Sequence, residues 1–154
     1  MNLRPSAPLV PRDFAVPDPP DSADFAFEVL GPQHNEADLA AWTGSMEHIQ
    51  TTPGFAGRSW PIRAFTPAEN LGDLVTHAEH HRAHLDFAWT VLDPANREVI
   101  GCVYVLPDPV GEYDAAARSW VVATRAHLDA VLFRHISGWL AAEWPFTTVR
   151  YEPR

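Results

Sequence analysis

A mixed α/β domain is the fold class this sequence predicts, on three observations. Short β-prone runs occur at residues 25–30, 87–92, 99–106, 119–122 and 147–151. Between them lie longer segments whose apolar residues recur at helical spacing. Five strands alternating irregularly with three helices require a sheet covered by helices. At 154 residues the chain has the size of one domain with one core.

Residues 1–24 carry Pro5, Pro8, Pro11, Pro17, Pro19 and Pro20. Proline lacks the N–H and fixes φ, so this stretch reads as an extended arm that orders only where it docks. The domain proper is expected over residues 25–154. Phe25 to Leu30 alternates apolar with small or polar residues and stops at Gly31-Pro32, which predicts a first strand. Asn35, with Asp38 three residues on, suits a helix start, and Leu39, Trp42, Met46 and Ile49 share one face before Pro53-Gly54 ends it. Residues 54–65 have glycines, a proline and large aromatics but no period, so they read as an ordered loop.

Thr66-Pro67-Ala68-Glu69 is a strong helix start, with Thr as N-cap, Pro at the first position and Glu at the third. Leu71, Leu74, Val75, Ala78 and Leu85 form the expected buried stripe. His77, His80, His81 and His84 are then expected on a polar flank. Phe87 to Leu92, the turn signal Asp93-Pro94-Ala95-Asn96 and Val99 to Leu106 form a hairpin whose second strand is apolar enough to be central. Residues 107–117 read as an acidic loop. Ser119 to Val122 is a strand that passes almost without a linker into a helix carrying Leu128, Val131, Leu132, Ile136, Trp139 and Leu140, ended by Trp144-Pro145. Thr147 to Tyr151 closes the chain's order as β-α-α-β-β-β-α-β.

Composition narrows the function. The net charge of −9, with 11 basic residues in no cluster, argues against nucleic-acid and anionic-membrane surfaces. An amine-bearing partner is compatible with it. Cys102 is the one cysteine, lies in an apolar run and reads as a packed thiol. No apolar stretch nears the roughly 20 residues that span a bilayer, and no signal-peptide core precedes the domain. A cytoplasmic location is expected.

The junction of strand 119–122 with the helix after it puts unpaired N–H groups and the positive end of the helix dipole at one point, which suits an anion. Its position behind the hairpin of residues 87–107 resembles the core of the GNAT superfamily of acyl-CoA-dependent N-acetyltransferases. There the turn reads Arg/Gln-x-x-Gly-x-Gly/Ala and its amides hold the cofactor pyrophosphate. Arg125-Ala126-His127-Leu128-Asp129-Ala130 occupies that place, with Arg125 and Ala130 on the first and last positions and no glycine between. The resemblance covers the first two thirds of such a domain. It implies a mixed, mostly antiparallel sheet of about five strands with helices on both faces. It also implies transfer of an acetyl group from acetyl-CoA to a small-molecule or peptide amine, with no metal required.

On that basis Val121, Val122, Arg125, Ala126, His127, Leu128 and Ala130 are the expected cofactor contacts. Phe55, Arg58 and Trp60 are the expected walls of the acceptor pocket. Glu28, Glu47, His48 and Glu112 are the bases available for the amine proton. Two alternatives stand beside this reading. One is a fold relative that has lost the reaction and serves as a binding or assembly module. The last strand would then leave an open sheet edge, which a homodimer could cover. The other is a metal site on the helix that opens at Thr66, where His77 with His81 and His80 with His84 are i,i+4 pairs, the spacing of bidentate ligation.

Overall fold

The computed structural model describes residues 7–154. Strand β1 (Ala26–Val29) is followed by helices α1 (Asn35–Thr43) and α2 (Met46–Thr51), then by α3 (Pro67–Arg82). The hairpin strands β2 (Phe87–Leu92) and β3 (Val99–Leu106) lead to β4 (Ala115–Val121), a 3-10 turn (Ala123–Leu128), α4 (Asp129–Glu143) and β5 (Val149–Arg150). The five strands form one sheet in the order β1-β2-β3-β4-β5. β1 to β4 pair antiparallel, and β5 lies parallel to β4. This is the mixed, mostly antiparallel sheet the sequence predicts.

Two layers cover it. Phe87, Trp89, Val91, Val103, Val105, Ala117 and Val121 face α4, where Leu132, Ile136, Trp139, Leu140 and Trp144 pack on them. Ala88, Cys102 and Trp120 face the other way, against Trp42, Ile49, Phe55 and Leu74 from the α1–α3 side. Period-2 alternation in β2 to β4 produces both faces at once. The arm docks on the α4 side: Val10 is buried there, Leu9 N–H donates to the His84 carbonyl at 2.7 Å, and the Trp89 indole N–H donates to Asp18 at 2.8 Å.

Three expectations change. The first expected helix is two, because the chain breaks at Gly44-Ser45. β4 begins at Ala115, inside the stretch read as loop, because Ala115 pairs with β5, Ala116 and Ala117 pair with β3, and all three are buried although alanine carries no strand preference. The capping box of α3 is present in both directions, at 3.1 Å each way between Thr66 and Glu69. Its buried stripe, however, is not the apolar one. Leu74 points inward, whereas Leu71 is 41% and Val75 38% exposed. The inward positions are taken by Asn70 and Leu74, with the His77 ring beside Tyr104. Asn70 accepts from the Trp42 indole at 3.1 Å and donates to Asp38 at 3.2 Å, so hydrogen bonds between α1 and α3, not hydropathy, set the rotation of the helix.

Candidate functional site

β4 carries the chemistry on two of its sides. Toward the α1–α3 layer it projects Arg118 and Trp120, which pair across the ladder with Tyr104 and Cys102. Arg118 and Tyr104 floor a cleft of about 520 Å³ lined by Phe55, Arg58, Trp60, Asp73 and His77. The aromatic walls interlock: Phe55 meets Trp60 at 5.7 Å and Tyr104 at 6.3 Å between ring centroids. Arg58 and Arg118 also line an adjoining cleft of about 320 Å³ between Gly54 and Arg150. The three residues expected to wall an acceptor pocket, Phe55, Arg58 and Trp60, thus lie around one cavity.

Electrostatics give that cavity a direction. Burial lowers the His77 pKa, with Asp86 and Asp73 pulling the other way, so the imidazole is neutral at pH 7. Burial raises the Asp73 carboxyl, one helical turn before His77. Burial also pushes the Tyr104 hydroxyl well above its ordinary value, and the Trp120 indole donates to that hydroxyl at 3.1 Å. On the strand floor, burial and the neighbouring Arg58 charge lower the Arg118 pKa from its ordinary value. Asp73, Tyr104 and Arg118 escape sequence reasoning because only strand register and helix rotation bring them together.

The outer side of β4 is only partly paired. β5 pairs with Ala115 and Ala116 alone, and then the strands part. Val122 N–H donates to the Ile100 carbonyl at 2.9 Å, so by alternation the backbone groups of Ala117, Ser119 and Val121 point into the gap. Arg154 reaches into it, donating to the Ser119 carbonyl at 2.7 Å and to Asp129 at 2.6 Å. The Ser119 and Tyr151 hydroxyls meet there as well, at 2.5 Å.

The turn after β4 is built differently from an open loop. Its six residues wind as 3-10 turns on either side of a kink at Arg125, whose backbone is not helical, and Leu128 is in the core. Ala123 N–H donates to the Ser45 hydroxyl at 2.9 Å, which links the turn to the α1–α2 break. Arg125 bonds Asp93 at 2.6 Å. Val121 is buried, Ala126 and His127 are exposed, and Ala130 lies in the first turn of α4. A third cleft, about 420 Å³, opens beside the turn between Ser45, His48, Arg63 and Ala123.

The four bases offered by the sequence do not converge. Glu28 sits on β1, at the opposite edge of the sheet, tied to His34 at 2.9 Å and to Arg97, and the His34 hydrogen bond lowers its pKa. Glu47 and His48 border the third cleft, where His48 Nε2 is buried without a hydrogen-bond partner. Glu112 is exposed and bonds Arg150 at 3.2 Å.

The helical histidines also part company. His80 bonds Asp86 at 2.9 Å, His84 donates to the Pro11 carbonyl at 3.0 Å, and His81 stands edge-on to Phe87 and Trp89, both at 5.0 Å. Among the described residues no group of three or more His, Cys, Asp or Glu is arranged to hold a metal ion. His77 and His81 are therefore packed against aromatic rings and not on the polar flank predicted for them, a result of the helix rotation. The Cys102 thiol is fully buried and raised by that burial, as a packed thiol should be. No helix among the described residues is long and apolar enough to cross a membrane.

No protein-family model matches the chain, and no curated protein matches it. Solved structures do. The chain is similar to the ribosomal-protein-S5-alanine acetyltransferase from Vibrio fischeri, at 15% identity and a TM-score of 0.58 over 76% of this chain and 63% of that one. It is similar to the ribosomal L7/L12 alpha-N-protein acetyltransferase RimL in complex with coenzyme A, at 12% identity and 0.61 over 80% and 67%. A protein from Bordetella pertussis assigned to the GnaT acetyltransferase family aligns at 15% identity and 0.53 over 79% and 71%. The chain spans less than two thirds of the length of the first of these. At such identities the likeness is one of architecture, and the chain has the fold of the GNAT acetyltransferases.

Proposed function

We propose that the chain is an N-acetyltransferase that moves an acetyl group from acetyl-CoA to an amine held in the Phe55–Trp60–Tyr104 cleft, acting in the cytoplasm. The observation that carries this reading is the parting of β4 from β5 after Ala116, which opens a cleft lined by Ala117, Arg118, Arg150 and Glu152 beside the aromatic one. An unpaired strand edge pairs with an extended, amide-bearing chain, and the arm of coenzyme A is one. Ala117 lines the cleft where such an arm would enter, while the Ser119 carbonyl further along is held by Arg154. For the pyrophosphate the turn offers less, since the Val122 and Ala123 amides already have acceptors and Arg125 has Asp93.

Acetyl-CoA would supply an activated acyl carbon. The chain's own part is to bind and deprotonate the amine. Neutral His77 lines the cleft with its ring 5.8 Å from that of Tyr104, and a neutral imidazole accepts a proton where a charged one cannot. Asp73 gives the resulting charge a neighbour. Each lost charge-assisted hydrogen bond weakens binding by about 1.5–3 kcal/mol. Against the roughly 8 kcal/mol of a micromolar complex, donor affinity should lie toward the millimolar range. Calorimetric titration of acetyl-CoA and coenzyme A into the full chain tests this, and no heat at millimolar ligand removes the reading.

A second reading is favoured by Arg154. Its side chain fills the gap and bonds the Ser119 carbonyl that an incoming arm would need, as expected of a non-catalytic binding or assembly module built on the same fold. In that case wild-type protein and Arg154→Ala are both silent to coenzyme A.

A further inference from the structure

Four arginines are partly buried among the described residues: Arg118, Arg125, Arg150 and Arg154. Three of them are bonded to carboxylates, Arg125 to Asp93, Arg150 to Asp108 and Glu112, and Arg154 to Asp129. Arg118 has no carboxylate partner and makes no side-chain hydrogen bond among the described residues, in a protein whose net charge is −9. A guanidinium that lines a cleft without a carboxylate partner has donors left over for an incoming acceptor. Arg58 adds a second positive charge. It lines the same cleft, and its Nε is turned back onto the Gly54 carbonyl at 2.7 Å.

The geometry points to a carboxylate subsite: Arg118 and Arg58 receive the carboxylate of an amine substrate whose amino group faces Asp73 and His77, so the acceptor is an amino acid. This deepens the acetyl-transfer reading and rests on it only for the fate of the amine. The cleft has the required polarity. Its floor carries Arg118 beside Tyr104, its helical wall carries Asp73 and His77, and Phe55 and Trp60 lie on the same lining to take an apolar or aromatic side chain. Arginine suits this role, since its planar fork bonds a carboxylate through two parallel N–H groups. The adjoining cleft shares both arginines, which leaves a route for the substrate to enter from the Gly54 side.

Three probes separate the ends of such a ligand: L-phenylalanine, phenethylamine without the carboxylate, and 3-phenylpropionate without the amine. Each is titrated into the full chain by calorimetry, with no acetyl donor present. L-phenylalanine should bind most tightly. Arg118→Met should weaken L-phenylalanine and 3-phenylpropionate by about 10- to 100-fold and leave phenethylamine unchanged. Arg118→Lys, which keeps the charge and loses the fork, should fall between. Phenethylamine binding as well as L-phenylalanine to the wild type overturns the subsite, and that comparison holds even if a variant fails to fold. So does an unchanged ratio in Arg118→Met, or no binding of any probe at millimolar concentration. If L-phenylalanine binds and is never acetylated, the transfer reading falls and the subsite stands.

Discussion

The two faces of the sheet are built from different materials. On the α4 face the packing is aromatic and aliphatic: Trp89, Trp139 and Trp144 meet edge to face at centroid distances of 5.1 to 6.2 Å, and Leu132 and Ile136 are fully enclosed. On the α1–α3 face the buried set includes Asp38, Ser45 and Asn70, and the surface opens into clefts. One face stabilises the fold. The other gives up some stability to hold polar groups in fixed positions, which is what a binding site requires.

Substitutions on the two faces should therefore differ in sign as well as size. The largest effect belongs to the α4 face. Leu132→Ala leaves a cavity among rings that cannot close over it, and should lower stability by about 3 kcal/mol in urea unfolding. A loss under about 1 kcal/mol would erase the distinction between the faces.

Asp38 should behave in the opposite way. Burial raises its pKa from 3.8 to about 6, against the Asn70 hydrogen bond that lowers it. The folded state then holds the proton more tightly than the unfolded one, so the contribution is fully present below about pH 4. It is lost as pH rises through 6. Asp38→Asn keeps the acceptor for Asn70 and should gain about 2 kcal/mol at pH 7. The same change should flatten stability between pH 4 and 6, read from chemical unfolding across that range. A pH-dependent slope that persists in the variant would assign it to another group.

The smallest effect sharpens the comparison at the point where the two sides of β4 meet. Ser45→Ala removes the acceptor of Ala123 N–H and should cost ~1 kcal/mol. It also frees an amide at the turn, so coenzyme A affinity should hold or rise; a fall would mean that Ser45 itself contacts the ligand.

Much of the scaffold was legible because local chemistry and tertiary role agree. β2 and β3 occupy the runs that the sequence marked for them, and the Thr66–Glu69 box opens α3 where it was expected. Legibility failed where the site begins. Leu71 and Val75 were assigned inward on hydropathy, but polar contacts between α1 and α3 turn the helix so that Asn70 is buried and His77 meets Tyr104. Phe55, Arg58 and Trp60 were reached through the family resemblance, which lays this loop along the acceptor site; on their own the large rings say only that the loop must pack. Arg118 gave no such signal: within Ala115-Ala116-Ala117-Arg118 it looks like any surface arginine until β4 is registered on Tyr104.

Of the six tryptophans, Trp42, Trp89, Trp120, Trp139 and Trp144 are buried, and Trp60 alone is partly open to solvent. Trp60 is also the one that walls the cleft of about 520 Å³. The molecule thus carries a single environment-sensitive fluorophore at the place where a ligand would sit. A blue shift in emission on occupancy, and iodide quenching lost at the same concentration, would report filling of that space without any label.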